Sequence, residues 1–247
     1  MNVKFFKIFF IALVGGIFGA VFTVSVLSDN LINANLSEYY LNQKENSQNL
    51  ATPLPTPGLG FWEKIITKLS PSLVGIQVFQ DNKIVRQGSG IIVSSDGLVV
   101  TTANLFIPNG IYQIFYEGEI LKGSMVTSDF KLNLMLIKTS TSNSNIADLN
   151  TYPNYQNGQD ILLIGRFFDL SKPTLVSQRG IISYVTDKTI VLDTILNNNL
   201  YGFGVTDTGG RFRGITYIRN GKVNLIKAEL IENFFKKSIE TISVKIN

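Results

Sequence analysis

The sequence predicts an all-β domain of the barrel or sandwich kind, closed by a C-terminal helix and preceded by a membrane-spanning helix. Three observations carry that prediction. Short β-rich runs follow one another from 73 to 218, broken by SDG, PNG, NGQ, TGG and RNG turns. Many short strands at such spacing point to a sandwich or barrel rather than a βαβ sheet. Residues 8–27 are apolar and uncharged, and residues 225–239 repeat apolar side chains at helical spacing.

The first element is the anchor, IFFIALVGGIFGAVFTVSVL over 8–27. A helix of that length rises about 30 Å, the thickness of a hydrocarbon core. Lys4 and Lys7 precede it, and Asp29 is the first charge after it. The positive-inside bias therefore predicts a single-pass cell-membrane protein, N-terminus cytoplasmic and the remainder extracytoplasmic. A cleaved signal peptide is the alternative. No small-x-small cleavage site follows the run, and the run exceeds the usual apolar region of such peptides. Gly15 and Gly19 form a GxxxG, extended by Gly16 and Ala20. Small residues at that spacing let two membrane helices approach closely, which makes a homo-oligomer one expectation.

Residues 1–28 are thus read as cytoplasmic stub and anchor, 29–59 as an extracytoplasmic spacer, and 60–247 as the folded domain. The spacer is rich in Asn, Ser and Gln, with a short helix expected over 31–45, and ends in the proline-rich ATPLPTPGLG. Prolines there favour an extended, semi-rigid arm. FWEKIITKLSPS, 61–72, reads as a short amphipathic helix stopped by Pro71, with Trp62 packing it against the domain.

Strands are expected over 73–79, 89–95, 97–103, 111–118, 134–139, 160–168, 175–185, 189–196 and 211–218. The closing helix, 225–239, places Ile226, Leu230, Ile231, Phe234, Phe235 and Ile239 on one face.

Composition excludes several chemistries. The chain of 247 residues has no Cys and no His. Disulfides, thiolate metal sites, a cysteine nucleophile, histidine metal ligands and any Ser-His-Asp triad are excluded. Carboxylates are few and dispersed, so no metal and no cofactor is expected. The 22 Lys and Arg are scattered, with no run longer than Lys236-Lys237. A nucleic-acid binder concentrates such residues on one face, so nucleic acid is not expected as a partner.

Seven segments then align in order with one family. SPSLVGI (70–76), GSGIIVSSDGLVVTTANLF (88–106), SDFKLNLMLIKT (128–139), GQDILLIGRFF (158–168), VSQRGIIS (176–183), LDTILNNNLYGFGVTDTGGRFRGI (192–215) and AELIENFFKK (228–237) carry the resemblance. Together they resemble the protease domain of HtrA/Deg-type trypsin-like serine proteases. The resemblance implies a two-barrel, chymotrypsin-like fold with a closing helix. It also implies polypeptide recognition by strand addition beside the active site. The family often carries a PDZ domain after the protease; residues to Asn247 are taken up by the closing helix, so none is expected here.

The same resemblance places the family's catalytic His at Asn104, its Asp at Asn133 and its nucleophilic Ser at Tyr201. None of the three matches. Serine attack needs a base to take the hydroxyl proton and an acid to orient that base. Two amides and a phenol supply neither. The oxyanion turn falls on Asn199-Leu200-Tyr201, without the glycine the family uses there. Loss of a triad serine or histidine removes about six decades of rate in a comparable enzyme.

The expectation is therefore a catalytically inactive homologue that binds polypeptide or a protein partner. Two alternatives stand beside it: an endopeptidase or other hydrolase with relocated residues, and a structural, oligomer-forming envelope protein.

Three smaller features need a reading. Asp207-Thr208-Gly209 matches the DTG of aspartic proteases, but is read as a turn. Lys122 with Ser124 and Lys172 with Ser171 are read as solvated surface rather than Ser-Lys dyads. Adjacent aromatics, among them Phe115-Tyr116, are read as packing on opposite strand faces. Phe167 and Phe168, with Tyr201, are expected to line an altered peptide groove.

Overall fold

The computed structural model describes residues 60–141, 145–149, 152–169, 172–194 and 200–246. The chain divides into two units, Met1–Thr56 and Pro57–Asn247, and the described residues all belong to the second. The expected anchor over 8–27 with its GxxxG face, the spacer and Asn199 lie outside the described residues. Among the described residues no helix is long and apolar enough to cross a membrane.

Helix α1, Phe61–Leu69, and a 3-10 turn, Ser70–Ser72, lead into two closed antiparallel barrels. The first holds β1 (Leu73–Gln80), β2 (Lys83–Ile92), β3 (Leu98–Thr102), β4 (Ile111–Tyr116), β5 (Glu119–Asp129) and β6 (Leu134–Thr139). They close in the order β1-β2-β3-β6-β5-β4. The second holds β7 (Asp160–Phe168), β8 (Pro173–Val185), β9 (Ile190–Asp193), β10 (Gly204–Asp207), β11 (Phe212–Arg219) and β12 (Lys222–Lys227). Its order is β10-β11-β12-β9-β8-β7. Helix α2, Ala228–Ile246, ends the fold.

Side-chain alternation explains why the central strands are apolar throughout. On β6, Met135 and Ile137 fill the first barrel, while Leu134 and Leu136 point out of it. On β7, Ile161 and Leu163 fill the second barrel, while Leu162 and Ile164 point out. The outward sets meet in a third core between the barrels. There they join Ile65 and Leu69 of α1 and Ile231 and Phe234 of α2. A strand buried on both faces has no polar side to display.

Trp62 is packed against this seam, edge-on to Phe61 at 5.3 Å, with the Arg179 guanidinium over its ring at 5.2 Å.

Three expectations need correction. The closing helix starts at Ala228, not 225: Leu225, Ile226 and Lys227 finish β12, and Ile226 is a core strand residue. Leu230, expected on the apolar face, is 37% exposed, whereas Ile231 and Phe234 are buried. Strands β5, β10 and β12 were not expected, and β2 begins at Lys83 rather than 89.

A buried charge sits in the second barrel. Arg213 is 2% exposed. Its Nη1 lies 3.7 Å from Asp207 Oδ2, its Nη2 donates to the Asn154 carbonyl, and its guanidinium covers the Tyr155 ring at 4.2 Å. The Tyr155 hydroxyl donates to the Arg213 carbonyl at 3.0 Å. Burial, with the Glu229 carboxylate adding to it, pushes the Tyr155 phenol up to about 12.

The neutral phenol is therefore the form the fold favours. Its contribution is complete below the unfolded value of 10.0 and is lost as pH rises through about 12. The urea midpoint should fall across this window, and fall less steeply in Tyr155→Phe. Identical slopes in both proteins would overturn the assignment.

Candidate functional site

The three positions where the resemblance implies a triad lie at the junction of the barrels. Asn104 sits in a 3-10 turn, Ala103–Leu105, that follows β3. The turn closes through Phe106 N–H donating to the Ala103 carbonyl at 3.0 Å. Asn133 ends the β5–β6 turn with φ 58°, a left-handed conformation that asparagine tolerates better than most residues. Asp129 Oδ1 shapes that turn by accepting from Lys131 N–H at 2.9 Å and Leu132 N–H at 3.0 Å.

Two contacts then bring the turns together. Ala103 N–H donates to the Asn133 carbonyl at 3.1 Å. Asn133 Nδ2 donates to Asn104 Oδ1 at 2.6 Å. Two neutral amides satisfy each other here, and neither offers a proton acceptor usable near neutral pH.

Tyr201 is held from the other barrel. Its carbonyl accepts from Ser89 N–H at 2.8 Å. Ser89 is fully buried and joins the barrels further: its Oγ donates to the Arg166 carbonyl at 3.0 Å and accepts from Arg166 N–H at 2.6 Å. Thr101 Oγ1 donates to the Ser89 carbonyl at 2.6 Å. Tyr201 packs, half-buried, against the interior core of the first barrel.

Leu200 is fully buried in the second barrel's core, and its carbonyl accepts from the Thr216 hydroxyl. Leu200, where the resemblance implies the oxyanion turn, is thus committed to packing, while Asn199 lies outside the described residues. Gly202 follows at φ 73°, its N–H donating to the Thr216 carbonyl at 2.8 Å.

Two hollows flank the Asn104–Asn133 pair. One, of about 520 Å³, is lined by Asn104 and Asn133 together with Phe130, Tyr217, Ile218 and Arg219 among others. The other, of about 360 Å³, is lined by Ile84, Val85, Arg86, Gln87, Leu105 and Tyr201. Arg86 Nη1 donates to the Asn104 carbonyl.

Each hollow has a bare strand edge beside it. Tyr217, Ile218 and Arg219 pair with β12 on one side, and no described strand covers the other. Residues 83–88 pair with β1, while β3 meets β2 only at Ile91 and Ile92. Edges of this kind can accept a further strand.

Phe167 and Phe168 line neither hollow. Phe168 is buried and packs edge-on against Phe115 at 5.2 Å, between the barrels. Phe167 packs against the second barrel's core. Extended residues alternate faces, and both faces of β7 are occupied at this end. The groove-side residues that sequence reasoning missed are Arg86, Phe130, Lys131, Lys188, Tyr217 and Arg219. They come from four separate turns and strands, and no local signal joins them.

The DTG segment is a turn, as expected. Asp207 Oδ1 accepts from Gly209 N–H at 2.8 Å and Arg211 N–H at 3.1 Å, and Gly210 N–H donates to the Asp207 carbonyl at 3.0 Å. Lys122 and Ser124 are both exposed on β5, and no hydrogen bond joins them. Ser171 lies outside the described residues. Among the described residues no three His, Cys, Asp or Glu side chains are grouped to hold a metal ion.

The trypsin-like peptidase domain profile matches residues 88–215, just over half of the chain. The chain is similar to serine protease HTRA4 of Mus musculus, 26% identical over 180 residues, covering 70% of this chain and 32% of that protein. It is similar to serine endoprotease DegS of Haemophilus influenzae, 29% identical over 147 residues, covering 55% of this chain and 42% of that protein. The matched region thus spans less than half the length of these relatives.

Among solved structures, the crystal structure of the serine endoprotease from Yersinia pestis superposes with TM-score 0.64 at 22% identity. That match covers 72% of this chain and 66% of that one, and establishes the shared fold. With the two closed barrels, the closing helix and the profile match taken together, the chain belongs to the trypsin-like peptidase family and is a homologue of HtrA-type serine proteases.

Proposed function

We propose that this chain is a membrane-anchored HtrA-like homologue without proteolytic activity, which binds extended polypeptide or a protein partner outside the membrane. The observation that carries the reading is the Asn133–Asn104 hydrogen bond at 2.6 Å, in a chain with no histidine. At the two positions where the family's base and its orienting acid would meet, an amide pair occupies the geometry and removes the proton acceptor. A serine hydroxyl without a base is a poor nucleophile near neutral pH, and the third position is a phenol. Support for binding comes from the bare strand edges at Tyr217–Arg219 and 83–88, beside the two hollows. Membrane anchoring rests on the uncharged stretch over 8–27.

The test uses the full-length chain in detergent, incubated with unfolded casein near neutral pH and followed by mass spectrometry. No new peptides above a buffer blank are expected. Reproducible cleavage that persists in Tyr201→Phe would mean that the chemistry has moved elsewhere, and would overturn the reading.

A further inference from the structure

The two hollows have charged linings of one sign. The charged side chains lining the two hollows are Arg86, Lys131, Lys188 and Arg219, and no carboxylate lines either one. Lys131, Lys188 and Arg219 are exposed, and their side chains have no ion-pair partner among the described residues. Asp129, the nearest acid in sequence to Lys131, spends its Oδ1 on the backbone of its own turn. The segment running into Tyr201, residues 194–200, carries no charge. Three cations therefore line one hollow and a fourth lines its neighbour, and no carboxylate lines either.

The apolar part of the surface is equally specific. Phe130 is 63% exposed at the rim of the larger hollow, edge-on to Phe106 at 5.2 Å. Ile218 lies on the bare edge of β11, and Ile84 and Val85 lie on the bare edge of β2. A bare strand edge offers alternating main-chain donors and acceptors, which match another extended main chain. A nucleic-acid backbone has no such alternation, so these edges favour polypeptide over nucleic acid.

Resting on the groove reading above, we propose that the ligand is an acidic extended segment of polypeptide. It adds to the β11 and β2 edges, places carboxylates near Lys131, Lys188, Arg219 and Arg86, and places an apolar side chain against Phe130. Rim charges of this kind act on encounter and selectivity, and several together discriminate like from unlike charge.

The experiment measures fluorescence anisotropy of the full-length chain in detergent with three short labelled peptides. All share one frame of Ile and Phe, and the remaining positions are Glu, Gln or Lys. A short single-stranded DNA is the fourth probe. The Glu peptide should bind about tenfold more tightly than the Gln peptide, with the Lys peptide weaker still. The gap should shrink as salt rises.

Changing Lys131, Lys188 and Arg219 to Glu should reverse the order of the Glu and Lys peptides. Arg86 is kept because it donates to the Asn104 carbonyl. An unchanged melting temperature confirms that this triple variant is folded. Equal binding of Glu and Gln peptides, unaltered in the triple variant, would overturn the acidic assignment and leave the groove reading standing. Failure of all three peptides to bind would overturn both. Tighter binding of the DNA, lost in the triple variant, would assign the surface to nucleic acid instead.

Discussion

Gly202→Val is expected to be severely destabilising. Two independent effects act at this position. Its φ of 73° lies in the left-handed region, which costs a β-branched residue about 1–2 kcal/mol. A Cβ there would also sit 2.0 Å from the Ser89 carbonyl oxygen and 2.8 Å from Thr101 Oγ1. The obstacle at 2.0 Å is backbone. The same carbonyl accepts from Thr101, and the Ser89 N–H and hydroxyl bind Tyr201 and Arg166. Ser89 cannot retreat without breaking the joint between the barrels.

Overpacking against such an obstacle adds about 1–3 kcal/mol or more. The sum, about 2–5 kcal/mol, is a large part of the stability of an ordinary domain. Trp62, the one tryptophan in the chain, packs against the inter-barrel core and reports the loss directly. A urea midpoint close to that of the unaltered protein would refute the close approach. Gly202→Ala should fall in between, having the same Cβ but no branch.

Asp207→Ala is the second large effect. Asp207 has two duties: Oδ1 holds the turn through two N–H groups, and Oδ2 faces the buried Arg213. Removing the carboxylate strands a guanidinium that is 2% exposed. Breaking a buried pair from one side typically costs about 3–5 kcal/mol. Asp207→Asn keeps an acceptor for the turn and loses only the charge, so it should be milder.

The diagnostic variant is Asp207→Ala with Arg213→Met. With both charges gone no buried charge is left unpaired, so it should recover a good part of the loss. A double variant as unstable as the two single losses added would show that the turn, not the ion pair, carries the effect.

The legibility of the fold varied from strand to strand for physical reasons. The runs LMLIKT and DILLIGRFF coincide with β6 and β7, because both faces of each strand are buried and the apolar run is unbroken. Strand β5 was invisible: from Glu119 to Asp129 only Gly123 is buried, so no alternation marks it. Strand β10 is four residues long, too short for a periodic signal. The RNG sequence marks the turn at 219–221, but β12 after it merges into the helical pattern, since Ile226 is apolar and in phase with Ile231 and Phe234.

The site was legible only in part. Asn104, Asn133 and Tyr201 came from family spacing, and the structure brings the two asparagines into contact. Phe167 and Phe168 pack against the second barrel's core and against Phe115, and a pair of adjacent aromatics says which faces are apolar, not what covers them. The cations at 86, 131, 188 and 219 converge through the closure of two barrels, a property no window of sequence contains.

The seam between the barrels has a consequence for how the domain is made. It takes residues from α1 at the start of the domain and from α2 at its end. A nascent chain emerging from the ribosome can close the first barrel early, since β1 to β6 pair only among themselves. Yet the outward face of that barrel, with Leu73, Val100, Leu134 and Leu136, waits for Leu162 and Ile164 of β7 and is fully covered only when Ile231 and Phe234 are synthesised. Such distant pairings slow folding and leave apolar surface open to wrong partners meanwhile. The last helix is therefore the latch of the domain, and a truncated chain ending before Ala228 would leave part of the seam open to solvent.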